Sequence, residues 1–150
     1  VGPNGAGKST AMKIITTSFA AKLPEILSVR EAVFIQEQAV PPHLELDDRD
    51  HSCLHVLALK DNKPVGTGRI DIEKQGKIGR LAVLKEYRGQ NIGSQLMAAL
   101  ENVARQNGLS SIWFNAQVTA LPFYQKLGYT VIGEEFMEAG IPHKMMRKKL

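Results

Sequence analysis

The sequence predicts a mixed α/β domain, and three observations carry that expectation. Short apolar runs rich in Val, Ile and Leu recur along the chain, each bounded by Gly, Pro, Asn or Asp. Longer stretches place apolar residues at helical spacing instead. One segment, Lys77–Gly93 (KIGRLAVLKEYRGQNIG), joins the two patterns: an apolar strand runs into a glycine-punctuated turn that opens a helix. With 150 residues, 43% of them hydrophobic and 23% charged, the chain is long and apolar enough for one globular domain with a sizeable core.

The elements follow in order. Residues 2–10 (GPNGAGKST) fit the phosphate-loop pattern G-x-x-x-x-G-K-[ST] through Gly2, Gly7, Lys8 and Ser9. That loop works after a buried strand, and only Val1 precedes it; no acidic magnesium partner stands at the end of another apolar strand. Residues 1–11 are therefore expected to be a grafted leader, and 12–150 the working domain. Lys13–Thr17 reads as a strand. Pro24 suits a helix start, and Ile26, Val29, Val33 and Phe34 carry that helix to about Gln36. Residues 39–52 hold Pro41, Pro42, Glu45, Asp47, Asp48 and Asp50 and are expected to form a loop with an acidic rim, either solvated or, over Glu45–Asp50, attracting a cationic ligand. His55–Lys60 and Val65–Ile72 are strands joined by the turn Asp61-Asn62-Lys63-Pro64, and Lys74-Gln75-Gly76 turns into the Lys77 strand. The helix after Gly93 has Ile92, Leu96, Leu100 and Val103 on one face and stops near Gly108. Ser111–Ala116 is a strand, Pro122 begins a short helix ending at Gly128, Tyr129–Ile132 is a strand, and Lys144–Lys149 pairs beside it.

Composition narrows the function classes. No apolar run reaches the length of a membrane helix, and no secretory leader is evident. Cys53 is the single cysteine, so no internal disulfide forms and a reducing, cytoplasmic setting fits. The net charge of +4 favours an anionic small ligand. The only basic cluster, Lys144, Arg147, Lys148 and Lys149, reads as a solvated terminal strand rather than a nucleic-acid surface. His51, Cys53 and His55 alternate on one strand face but are too few for a dedicated metal site, so none is expected.

The chemistry concentrates at Arg88-Gly89-Gln90-Asn91-Ile92-Gly93-Ser94. A turn of this kind aims several backbone N–H groups at one point, at the positive end of a helix dipole, and suits a diphosphate. Arg88–Gly93 resembles the pyrophosphate-binding turn, Q/R-x-x-G-x-G/A, of the GNAT superfamily of acyl-CoA-dependent N-acetyltransferases. Ala120–Tyr129 (ALPFYQKLGY) resembles its second signature. The segments Val29–Pro41, Glu45 with Asp47, Asn115–Gln117 and Phe136–Met146 are similar to the bacterial YjcF/ElaA-like subgroup. Asn91 stands where the family pattern has glycine.

The resemblance implies a mostly antiparallel central sheet, helices on both faces and a V-shaped cleft for acetyl-CoA. It implies direct attack of a small-molecule or peptide amine on the thioester. Backbone N–H groups of Leu81, Ala82 and Val83 would polarise the carbonyl, Arg88–Ser94 would hold the diphosphate, Asn115 would contact the cofactor, and Tyr124 would protonate the leaving thiolate. Arg80 occupies the strand region where some relatives place a glutamate base, which leaves Glu37, Glu45, Asp50, His55 and His143 as candidates, beside deprotonation through water. Neither nucleic acid nor membrane is an expected partner, and a homodimer stays open. Two other functions stay open: a non-catalytic acyl-CoA sensor, and a nucleoside-triphosphate binder using Gly2–Thr10.

Overall fold

The computed structural model describes residues 11–150, so the phosphate-loop-like stretch Gly2–Thr10 lies outside the described residues. Strand β1 (Met12–Ser18) pairs antiparallel with β2 (Leu54–Lys60), Met12 opposite Lys60 and Ser18 opposite Leu54. Asp61 and Asn62, at φ +51° and +66°, form the tight turn into β3 (Lys63–Asp71). Positive φ at both central residues matches the right-handed twist of a hairpin, and Asp and Asn tolerate it. β3 in turn pairs antiparallel with β4 (Lys77–Val83).

The helix expected over Pro24–Gln36 has two parts. α1 (Leu23–Arg30) begins with Pro24 in its first turn and continues as a π-helical stretch over Glu31–Glu37. There the chain widens by one residue per turn, as the Gln38 N–H bond to the Val33 carbonyl at 3.0 Å shows. The widening places Val33 and Phe34 against Ala82 of β4. A single turn, α2 (Pro42–Glu45), follows. α3 (Ile92–Gln106) buries Ile92, Leu96, Met97, Leu100, Val103 and Ala104 against the sheet. Full burial of each larger side chain contributes roughly 1.5–3 kcal/mol. α3 sits low on β3 because Gly66 and Gly68 lack side chains; a Cβ on them would meet Leu96 at 2.9 Å and Leu100 at 3.0 Å.

β5 (Ser111–Gln117), α4 (Leu121–Lys126), β6 (Thr130–Glu138) and β7 (Ile141–Lys149) complete the chain. The seven strands lie in the order β1-β2-β3-β4-β5-β7-β6, antiparallel except where β4 meets β5. Alternation along β2 sends Val56 and Ala58 into the core under α3, and Leu57 into a second core with Phe19 and Ile26 under α1. Helices therefore cover both faces, as expected.

Two expectations about the C-terminal region need correction. The last hairpin is longer than Tyr129–Ile132 and Lys144–Lys149, because Ala139 and Gly140 (φ +52° and +75°) turn the chain beyond it. Residues past Ile132 on β6 are mostly exposed on both faces, so no apolar alternation marks them as a strand. The basic run lies on the last strand, as expected, but is solvated only in part: Arg147 and Lys149 are exposed, and Lys148 is engaged. β7 lies between β5 and β6, and Lys148 donates to Glu101 at 3.0 Å and to the Leu127 carbonyl at 2.8 Å.

Candidate active site

β4 and β5 meet at one register pair, Lys77 opposite Trp113, and diverge beyond it. The apex is fixed by Trp113, whose N–H donates to the Gly76 carbonyl at 3.2 Å and whose indole N–H donates to the Lys74 carbonyl at 3.0 Å. From there β5 is held by β7, and β4 by β3. The sides of β4 and β5 that face each other carry no strand pairing above the apex, and they bound a cleft of about 990 Å³. A bulge in β4 sharpens the divergence: Thr67 pairs with Ala82 and Arg69 with Gly79, so two residues oppose Gly68, and one of them, Arg80, has φ +52°.

At the open end of β4 the chain forms the turn into α3. Gly89 has φ +79°, and Asn91, the N-cap, has φ +66°. Asparagine thus adopts the left-handed geometry expected of glycine there. Its side chain makes no capping bond, and the first helical bond runs from Gln95 N–H to the Asn91 carbonyl at 3.2 Å. The amides of Ile92, Gly93 and Ser94 thus have no partner within the helix. Gly93 and Ser94 line the cleft, as do Arg88, Gly89, Asn91 and Ile92. A Cβ on Gly93 would lie 3.2 Å from Phe123, so this glycine lets α4 close on α3 as well as keeping the turn open.

Two turn residues behave differently from the rest. The Gln90 side chain points away and accepts from Lys60 Nζ at 2.7 Å, and Gln90 is not part of the cleft lining. Arg88 grips Glu37 with two bonds of 2.7 Å and the Val83 carbonyl at 3.0 Å, so its guanidinium ties the π-helical stretch to the end of β4. This hydrogen-bonded pair holds the Glu37 carboxyl below its ordinary range.

Across the cleft, Tyr124 packs on Phe114 with ring centroids 4.5 Å apart. It is half-buried, and burial pushes its hydroxyl pKa well above the ordinary tyrosine value. Asn115 of β5 donates to Glu138 at 3.2 Å, while its Oδ1 is buried without a partner. Leu81, Ala82, Val83, Asn115 and Tyr124 all line the one cleft.

The acidic loop corrects the expectation of a solvated rim. Arg30, fully buried on α1, donates to Glu45 Oε2 and to Asp50 Oδ1, each at 2.7 Å. Arg69 of β3 donates to Asp47 and Asp50 at 2.7 Å. Arg80 reaches the Glu45 and Leu44 carbonyls at 3.0 and 3.1 Å. Burial would raise the Asp50 carboxyl pKa, but Arg30 and Arg69 hold it below its ordinary range. Sequence reasoning missed Arg30 as the centre of this network. Its spacing of four from Ile26, on a buried helix face, was the available signal.

The structure separates the candidate bases. Glu37 is tied to Arg88, Asp50 is sealed under two arginines, and His55 is buried with Nε2 at 2.9 Å from the Asp50 carbonyl; none of the three lines the cleft. Glu45 and His143 do. His143 Nδ1 lies 2.7 Å from the Ile141 carbonyl, which places the ring proton there. His51, Cys53 and His55 do not alternate on one strand: Asp50–Ser52 is a 3-10 turn and β2 starts only at Leu54. Cys53 is buried and its thiol is pushed up to about 11 by burial, which leaves no thiolate for nucleophilic work. Among the described residues no three His, Cys, Asp or Glu side chains converge as a metal site, and no helix is long and apolar enough to cross a membrane.

Residues 22–150 match the family described as the acetyltransferase (GNAT) domain. The chain belongs to the GNAT family. Among its GNAT relatives, the uncharacterized N-acetyltransferase YjcF of Bacillus subtilis is 41% identical over 139 residues, 91% of this chain and 99% of that protein. Protein ElaA of Escherichia coli is 32% identical over 137 residues, 87% of this chain and 89% of that one. The crystal structure of a putative N-acetyltransferase from Lactobacillus plantarum superposes with a TM-score of 0.85 at 31% identity, covering 93% of this chain and 99% of that one. The YjcF/ElaA-like subgroup and the GNAT fold expected from the sequence are thus both found. Membership makes this an acyl-CoA-dependent acyltransferase in class.

Proposed function

We propose that the protein transfers an acetyl group from acetyl-CoA to an amine by direct attack on the thioester, using residues 12–150. The observation that supports this most is one cleft combining an unpaired β4 edge, the open amides that begin α3, and the half-buried Tyr124 hydroxyl. The residues present fit the co-substrate. Unpartnered amides of Ile92, Gly93 and Ser94 suit a diphosphate. The free β4 edge suits an amide-bearing arm that adds like a strand. The buried, unpartnered Asn115 Oδ1 suits one amide N–H of that arm.

Acetyl-CoA supplies the thioester carbonyl on which these groups converge. Cleft-facing backbone N–H groups among Leu81, Ala82 and Val83 stabilise the carbonyl oxygen as it gains charge. The amine nitrogen bonds to the carbonyl carbon and the carbon–sulfur bond breaks. Tyr124, whose hydroxyl is protonated at neutral pH, gives its proton to the departing sulfur. The amine's surplus proton passes through water and restores the Tyr124 hydroxyl.

Thermal shift with acetyl-CoA, longer-chain acyl-CoAs and Mg-ATP tests the binding part, because a ligand of the native state raises its apparent stability. Acetyl-CoA should stabilise most. A thiol-release assay with an amine panel then tests turnover. Stabilisation by Mg-ATP alone would discard the reading, and a larger effect of a longer acyl chain would move it from acetyl to that chain.

A further inference from the structure

One side-chain hydrogen bond crosses the cleft. Gln117, the last residue of β5, donates from Nε2 to Gln38 Oε1 at 2.9 Å, and both residues line the cleft. Gln38 stands on the β4 side, because Val33 and Phe34 just before it pack with Ala82 and Leu84. Among the described residues, no other side-chain hydrogen bond joins cleft-lining residues of opposite walls.

The backbone is bent to bring Gln38 there. The π-helical stretch Glu31–Glu37 ends immediately before it, and Ala39 immediately after it has φ +58°. A π turn is rare and a positive φ is unfavourable for alanine, so both persist only where surrounding contacts enforce them. The amides of Gln38, Ala39 and Val40 supply such contacts, donating to the Val33, Ile35 and Phe34 carbonyls at 3.0, 3.1 and 2.8 Å. Glu37, the preceding residue, is held by Arg88, which also grips the Val83 carbonyl. Gln38 is therefore braced on the end of β4 and on the turn into α3. Gln117 is braced as well, opposite His143 in the β5–β7 ladder.

We propose, resting on the acyl-transfer reading above, that Gln38 and Gln117 form a clasp that sets the width of the cleft, and that they act as positioning residues for the transfer. Strand pairing joins β4 and β5 only at Lys77 and Trp113, and the clasp is a second tie at the far end of β5. An arm added to β4 as a strand lies about 4.8 Å from it, so an arm between two strands needs them about twice that apart. Two glutamine side chains meeting end to end are long enough to bridge such a gap. The clasp holds Phe114, Asn115 and Tyr124 at a fixed distance from the β4 amides while touching no reacting atom itself. A misplacement of about 1 Å between groups that must meet costs on the order of a hundredfold in rate.

The clasp is tested first as a tie. Spin labels on Glu86→Cys and Thr119→Cys, exposed positions just past β4 and β5 and outside the cleft lining, report the separation of the walls; the native Cys53 is buried. One narrow distance distribution is expected. Gln38→Met and Gln117→Met keep the side-chain length but lose the bond, and each should broaden it. Combining them should broaden it no further, because the two residues share one bond. Gln38→Glu keeps an acceptor for Gln117 and should restore the narrow distribution. The unlabelled variants are then assayed for melting temperature, for acetyl-CoA affinity by calorimetry, and for thiol release with 1,4-diaminobutane, lysine ethyl ester or water alone as acceptor. Each methionine substitution should lower kcat about tenfold or more, with melting temperature and acetyl-CoA affinity nearly unchanged, and Gln38→Glu should recover most of the loss. An unchanged distance distribution, a wild-type kcat in both methionine variants, or additive losses when they are combined would overturn the clasp. A wild-type protein that binds no acetyl-CoA and releases no thiol would instead overturn the acyl-transfer reading beneath it, and the distance measurement would then decide the clasp alone.

Discussion

The two halves of the cleft are built from different materials. The α3 half presents backbone: open amides of the Asn91–Ser94 turn and the unpaired edge of β4. The α2 half presents side chains, with Arg30, Arg69 and Arg80 from three separate elements converging on Glu45, Asp47 and Asp50. Backbone recognition needs only the right φ angles and room, so it tolerates many side chains. Side-chain recognition depends on every member of the network, because a buried charge that loses its partner is costly.

The contrast is broken most severely at Arg30. Arg30→Ala takes the closest cation from the buried Glu45 and one of two from Asp50, which keeps Arg69, and should destabilise the fold by about 3 kcal/mol, read from urea unfolding. A loss below 1 kcal/mol would mean that water reaches and solvates Glu45 and Asp50. Next is Tyr124→Phe, which keeps the packing on Phe114 and removes the hydroxyl. It should lower kcat by roughly tenfold to a thousandfold while leaving acetyl-CoA affinity intact. Wild-type turnover in this variant would assign the sulfur's proton to solvent.

Acid sharpens the comparison without a mutation. Burial, with Arg30 and Arg69 nearby, holds the His55 pKa below the ordinary 6.5, so the unfolded chain takes up a proton first as pH falls through that value. Stability should therefore decline from pH 7.5 to 5.5, and His55→Gln should flatten the decline in melting temperature. Asp50, depressed from 3.8, contributes stability that is complete above that value and is lost as pH falls through the lower folded-state pKa. A second decline should appear there. The smallest effect belongs to the backbone half. Asn91 already holds φ +66° and caps nothing with its side chain, so Asn91→Gly should change stability by about 0.5 kcal/mol or less. A marked loss of acetyl-CoA affinity in that variant would reveal a side-chain contact to the ligand.

Legibility in the sequence follows the same division. The α3 turn could be read because its geometry is local: Gly89, Asn91 and Gly93 mark it within a few residues, and Ile92, Leu96, Leu100 and Val103 announce the helix behind it. β2, β3 and β4 were equally plain, because apolar runs alternate with compact turns. The α2 half was misread as a solvated rim. Its acids lie near one another in the chain, but Arg30, Arg69 and Arg80 reach them from α1, β3 and β4, and no local pattern encodes such a meeting. The exposed end of β6 was missed for a simpler reason, since a strand with little burial on either face carries no hydrophobic period. Gln90 looked equivalent to its neighbours in the turn, yet the twist of the chain sends its side chain outward to Lys60.

The junction at Lys77 and Trp113 carries a practical gift. Trp113 is the chain's only tryptophan, it sits at the fulcrum of the two sheet halves, and Lys77 Nζ lies 5.3 Å from its ring centre. A cation that close to an indole influences its emission, so the fluorescence of this single tryptophan reports on whether the β4–β5 junction itself is intact.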